Sequence, residues 1–289
     1  MFYINNVPGR AKTISRFSFV LALLAISAVF FAGEGKAYAK DGQVEETPDP
    51  CLGLLAILDR PTVSDSACAA PLGHAVFELG FQHADLRGSG GGTADNYPQA
   101  ELRMGLPGRN EFKVLSPNYN SQSTPDGSSS GLSAASVGFK HEVGHNRNWL
   151  GSVEAILTMP SGNAAFGSRG LGAAVNGIVN YALNDEIGLS LLLGISSQTT
   201  SKLSGGDRFT SFNSDFVATW QPTERLQFYG EVFGQTSSGP GQGAGYNLDG
   251  GLQYMVTHWW EVDLEEGVRL TGNLGGFAHY YGVGSGFLF

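Results

Sequence analysis

Two cysteines, six histidines and an excess of carboxylates are the residues of this 289-residue chain whose types could do chemistry. Cys51 and Cys68 lie in a part of the chain that looks exported, where an oxidising compartment lets a pair close a disulfide. No histidine cluster stands near them with ligand spacing, so neither a metal nor a cofactor is expected. A hydrolytic site would need a serine and a histidine within hydrogen-bond reach, and a third group to orient the imidazole. His145 and His258 fall in short turns, and His141 and His279 share the parity of the apolar positions around them. His83 is left without a serine at a suggestive spacing, so no catalytic residue is assigned. The glycine run at 88–92 lacks the lysine and the strand-to-helix setting of a phosphate loop, and reads as a plain loop.

The carboxylates follow a rule: they alternate with apolar residues. Strand-like stretches from 74 onward place charged or small residues on one parity and apolar ones on the other, the signature of a strand with two different faces. The clearest, 187–197, sets Ile187, Leu189, Leu191, Leu193 and Ile195 against Gly188, Ser190 and Gly194. Twelve such stretches can be marked. The last, 277–289, has Tyr281, Val283, Phe287 and Phe289 on one face and Gly282, Gly284 and Gly286 on the other. It must pair with the first, 74–86, to close a ring, its glycine face leaving room inside.

Connections sort by length. Short turns begin near Pro107, Gly144, Asn184, Gln221 and Thr257, with longer polar loops such as 118–130 and 160–170 between them. Outer-membrane barrels have this asymmetry, with short periplasmic turns and longer extracellular loops. The four tryptophans, Trp149, Trp220, Trp259 and Trp260, stand at or beside the short turns. With Phe289 they would form one ring at an interface, where amphipathic rings are favoured. No stretch after residue 39 is apolar for long enough to span as a helix, so a membrane protein of this kind must be a closed barrel. The expected fold is all-β: a twelve-stranded antiparallel outer-membrane β-barrel over 74–289, with a short N-terminal helix.

Residues 1–39 read as a signal peptide. Arg10, Lys12 and Arg16 form a basic region, 17–32 is apolar, and Ala37, Tyr38 and Ala39 make a cleavage site. Residues 40–73 form a periplasmic or plug-like segment. There Asp49 and Pro50 suit a helix start, and Leu52, Leu54, Leu55, Ile57 and Leu58 make a helix that must bury itself, tethered by the disulfide. Cleavage removes four of 17 basic and one of 26 acidic residues, leaving 13 against 25 and a net charge of −12. No basic patch remains, which argues against nucleic acid as a partner.

Opposite the apolar face, inward parity falls to Glu78, Glu101, Arg103, Lys140, Glu142, Glu154, Asp215, Tyr229, Glu231, Asp249, Glu261, Asp263, Glu265 and Arg269, with Arg225 as a further base. Two readings of this face stay open. It lines a narrow acidic pore that favours cations or neutral polar solutes, or it fills a small barrel with internal salt bridges.

The segments 137–144 (VGFKHEVG), 150–162 (LGSVEAILTMPSG), 251–268 (GLQYMVTHWWEVDLEEGV) and 280–289 (YYGVGSGFLF) resemble the barrel proteins grouped as the MetA-pathway of phenol degradation family. The resemblance covers residues 75–289. It implies an outer-membrane channel or transporter for small solutes, with hydrophobic or aromatic compounds as the class the family's name points to. It brings no catalytic residues. Two other functions remain: a structural or adhesion barrel binding through loops 118–130 and 160–170, and a lipid-modifying enzyme. The expected partners are outer-membrane lipid, an unidentified small-molecule solute, and the barrel-assembly machinery, which would read the closing strand. The cysteine-bounded segment 51–68 lies outside the generic pattern, so a specialised role would sit there.

Overall fold

The computed structural model describes residues 49–87 and 91–289; the expected signal peptide lies outside the described residues. Among the described residues one short helix, α1 (Leu54–Ile57), precedes fifteen strands. They are β1 (Ala75–Leu86), β2 (Thr93–Tyr97), β3 (Glu101–Leu106), β4 (Asn110–Leu115), β5 (Tyr119–Thr124), β6 (Gly127–Leu132), β7 (Ser136–His145), β8 (Trp149–Thr158), β9 (Gly172–Ala182), β10 (Ile187–Thr199), β11 (Arg208–Thr223), β12 (Leu226–Gln235), β13 (Gly245–Thr257), β14 (Trp260–Thr271) and β15 (Phe277–Leu288).

Every pairing between these strands is antiparallel, and β1, β3, β4 and β7 to β15 close into one ring. The seam joins β1 to β15 from Val76↔Leu288 to Leu86↔Phe277. The remaining strands, β2, β5 and β6, prolong the lines of β3, β4 and β7 past the ring. The lower part of β1 pairs with β3 (Glu78↔Glu101) and the upper part with β2 (Gln82↔Asn96). Pro98 and Pro117 interrupt these long lines, since proline has no N–H for the ladder. The stretch 118–130, expected as a loop, is therefore mostly the β5–β6 hairpin. Its strand β6, GSSSGL, has no apolar face, so hydrophobic alternation could not reveal it. Residues 160–170 are irregular.

The faces are inverted relative to a water-soluble domain. Leu191, Leu193, Ile195, Phe212, Phe216, Leu264 and Val283 are exposed on the outside, while Arg103, Lys113, Lys140, Glu154 and Glu261 are buried within. This is the pattern of an outer-membrane-type barrel, apolar outward and polar inward. Short turns at 107–109, 146–148, 183–186, 224–225 and 258–259 gather at one end. The aromatic residues meet there. Trp260 stacks on Phe287 with centroids 6.1 Å apart, Trp259 lies 6.4 Å from Trp260, Phe289 lies 6.3 Å from Phe287, and Trp220 stacks on Phe228 at 5.6 Å. Trp149, also at a turn, is half-exposed.

Local expectations needed three corrections. The helix spans four residues and begins after Gly53, with no side-chain cap; Asp49 instead accepts from Cys51 N (2.9 Å). β11 runs on to Thr223, past the turn expected near Gln221. Arg225 lies in that turn, exposed, and does not face the lumen.

Candidate functional site

The lumen is occupied by the chain's own segment 49–73, folded as a hairpin that enters from the short-turn end. At its base Asp49 pairs with Arg109 of the β3–β4 turn (3.1 Å). Its apex at 62–65 reaches the middle of the barrel, where the Glu231 carboxylate accepts from Val63 N and Ser64 N, both at 2.8 Å. On the return limb Ala69 N donates to Glu142 (2.8 Å) and Ala70 N to Glu111 (2.6 Å). The Cys51–Cys68 disulfide ties the limbs together, with Cα atoms 5.5 Å apart. Four residues cannot hold a helix by themselves. Leu54, Ile57 and Leu58 are fixed by burial in one apolar cluster with Leu150, Ile178 and Leu192 of the barrel wall.

The rest of the seat is ionic. Lys113, fully buried, reaches Asp59 (2.8 Å), Asp65 (2.8 Å), Glu101 (3.2 Å) and Glu154 (2.7 Å). Arg103 meets Asp59 (3.2 Å), Glu78 (3.1 Å) and Glu111 (2.8 Å), and also donates to Cys68 O and Ile57 O. Lys140 bonds Asp59 (3.3 Å) and Ser66 O (2.7 Å). Glu78 accepts from the N–H groups of Asp59 and Arg60. Buried charges persist only when paired and hydrogen-bonded in this way.

Asp59 is the hub. Burial alone would raise its pKa, but Arg103, Lys113 and Lys140 together hold it well below the usual carboxylate range. Asp65 goes the other way. Burial, then the charges of Asp59 and Glu154, push it up to about 8 even though Lys113 and Lys140 oppose them.

The closing strand has a use that alternation did not reveal. Its inward glycines were expected to leave room in the lumen; the hairpin fills that room. A Cβ on Gly284 would collide with Arg60 Nε, and one on Gly80, its partner across the seam, with the same guanidinium. A Cβ on Gly286 would meet Leu58 at 2.5 Å. The glycine pair thus forms a bay for Arg60, whose Nη2 pairs with Asp263 at 2.9 Å and whose Nη1 donates to Gln99 at 2.7 Å.

Of the inward residues inferred from alternation, Glu78, Glu101, Arg103, Lys140, Glu142, Glu231, Asp263 and Glu265 touch the hairpin or its ion-pair network. Glu154 joins it through Lys113. Asp215, Tyr229, Asp249 and Glu261 are buried in the wall, with Asp249 accepting from Tyr280 Oη (2.5 Å). Arg269 stands at the long-loop end and donates to Gly272 O (3.2 Å). Sequence reasoning missed Asp59, Arg60, Asp65, Glu111 and Lys113. The last two carry a legible signal, since they alternate with Phe112 and Val114; the hairpin residues carry none. His83 bonds Asp95 (2.6 Å) and lies beside the Tyr281 ring (5.2 Å), while His279 bonds Asp85 (2.6 Å).

The opposite wall is mostly neutral, with Glu154 and Asp215 as its buried charges. Leu150, Ile178, Leu192 and Val217 point inward from β8 to β11, among asparagines and serines. Space remains along this wall. A cavity of about 220 Å³ lies beside the hairpin, lined by Asn180, Ser190 and Val217, and one of about 530 Å³ lies above its apex. Asp65 borders both.

A closed twelve-stranded antiparallel barrel with a hairpin seated in its lumen is the class of protein these features define. The chain belongs to the family described as "Putative MetA-pathway of phenol degradation", whose model matches residues 59–278. Among solved structures it is similar to the COG4313 outer membrane channel from Pseudomonas putida F1, with a TM-score of 0.63 and 12% identity over 79% of this chain and 100% of that one. It also resembles the KdgM porin, with a TM-score of 0.50 and 10% identity over 73% of this chain and 98% of that one. At such identities the likeness establishes the fold. No curated protein sequence matches the chain.

Proposed function

We propose that the protein is an outer-membrane channel for small solutes, with the hairpin 49–73 as a plug that sets its bore. One observation carries this reading. The hairpin is bonded along one side of the lumen, while free space remains beside it along β8 to β11 and above its apex. The two similar structures support the same direction, since one is described as a channel and the other as a porin. The family description favours aromatic or other hydrophobic compounds as solutes. In this reading 1–39 directs export, and the strand ending at Phe289 is what the assembly machinery engages.

Inward acids outnumber inward bases, so cations should carry the current. Planar-bilayer recordings under a salt gradient test this. Small currents with a cation-selective reversal potential are expected. Anion selectivity, or silence from barrels shown to be folded, would contradict it.

A further inference from the structure

The larger cavity has a chemistry of its own, and its use as a binding site rests on the channel reading, in which solutes reach the lumen. Register places its key residues in one row around the wall: Leu192 beside Asp215, Asp215 beside Phe233, Phe233 beside Asn247. Phe277 adds a second ring, and Asn176, Gln198, Asn213 and Gln235 add further amides. Asp215 is buried, and among the described residues no lysine or arginine lines the cavity. Arg269, next in the row after Asn247, donates to Gly272 O (3.2 Å) in the following turn.

Two further oxygens are orphaned. Asn247 is fully buried, and its Oδ1 has no hydrogen-bond partner while its Nδ2 faces Leu274 O (3.5 Å). Asn176 is 8% exposed; its Nδ2 is spent on Glu154 (3.2 Å) and its Oδ1 is unpartnered. A buried acceptor without a donor costs on the order of 1–3 kcal/mol, so such atoms call for an explanation. Here Asp215, an Asp65 already paired with Lys113, and two asparagines with unpartnered oxygens line a chamber that holds two aromatic rings and, among the described residues, no lysine or arginine.

We propose that this chamber binds a protonated organic amine with an apolar or aryl body. An ammonium group brings three donors and a positive charge, a neutral hydroxyl brings one donor, and a carboxylate brings none. The hydrocarbon part would lie on Leu192, Phe233 and Phe277, where ring faces also favour a nearby cation. A volume of about 530 Å³ accommodates a single-ring ligand.

The test uses the folded full chain in detergent and three probes that share one aryl body: phenethylammonium, 2-phenylethanol and phenylacetate. By isothermal titration calorimetry the amine should bind, and the alcohol and the acid should bind at least about tenfold more weakly, the scale of a hydrogen bond to a charged group. Asp215→Asn should weaken amine binding by about tenfold while electrophoretic mobility still shows a folded barrel. Equal binding of the three probes, tighter binding of phenylacetate, or no binding of any would overturn the proposal, whether or not that variant folds. Amine binding in a barrel that passes no current would uphold this site and remove the channel reading.

Discussion

The two walls of the lumen solve different problems. On β1, β3, β4 and β7, and again on β12 to β14, many inward side chains are charged, and most of those are committed to the hairpin or to one another. From β8 to β11 most are aliphatic or neutral, Glu154 and Asp215 being the charged exceptions, and the apolar residues of the hairpin lean on them. A buried ion pair is weak evidence for stability but strong evidence for register, because removing one member leaves the other stranded. An apolar contact is forgiving and non-directional. The ionic wall therefore fixes where the hairpin sits, and the wall from β8 to β11 leaves space beside it.

The largest effect should come from the ionic side. Lys113→Met takes the salt-bridge partner from Asp65, Glu101 and Glu154 and leaves Asp59 with only Arg103 and Lys140, at a cost of about 3–5 kcal/mol. The expected readout is loss of hairpin protection from protease, together with a lower temperature for the mobility change on heating. An intermediate effect belongs to Gly284→Val, which would thrust a side chain into the Arg60 bay and break its contact with Asp263. Overpacking of this kind costs roughly 1–3 kcal/mol, and channel recordings should show more frequent opening with the barrel intact. Leu192→Ala, on the wall from β8 to β11, trims the apolar cluster under the hairpin, so it should loosen hairpin protection less than Lys113→Met does and enlarge the space beside it. If it released the hairpin as readily as Lys113→Met, the distinction between the walls would fail.

A separate effect is a pH dependence confined to the apex. Asp65 has a folded-state pKa of about 8 against an ordinary value of 3.8, so the seated hairpin binds a proton that the released one gives up. Its contribution to seating is complete below about pH 4, declines as pH rises, and is lost by about pH 8. Asp59 is shifted the opposite way; it supports seating above its ordinary pKa and is lost only in strong acid. Between pH 5 and pH 8, opening should become more frequent, and Asp65→Asn should remove that trend.

The barrel was legible because its outward face is one long apolar alternation and its connections sort by length. The strands past the ring were hidden: β2 and β6 hold too few apolar residues to show a period. The wall carboxylates could be read by parity. Their partners could not, because Asp59, Arg60 and Asp65 lie in an irregular segment where nothing in the spacing says which wall residue each one meets. The inward glycines of β15 show the limit most clearly. Alternation placed Gly284 inside correctly but took it for empty space; what fills that space comes from a residue more than two hundred positions earlier.

In the channel reading the hairpin narrows the lumen. The most direct measurement compares single-channel conductance of the full chain with that of a barrel lacking residues 49–70, each shown to be folded by its mobility before and after boiling. A several-fold larger conductance on excision is the expected result. Equal conductance from two folded barrels would contradict the account.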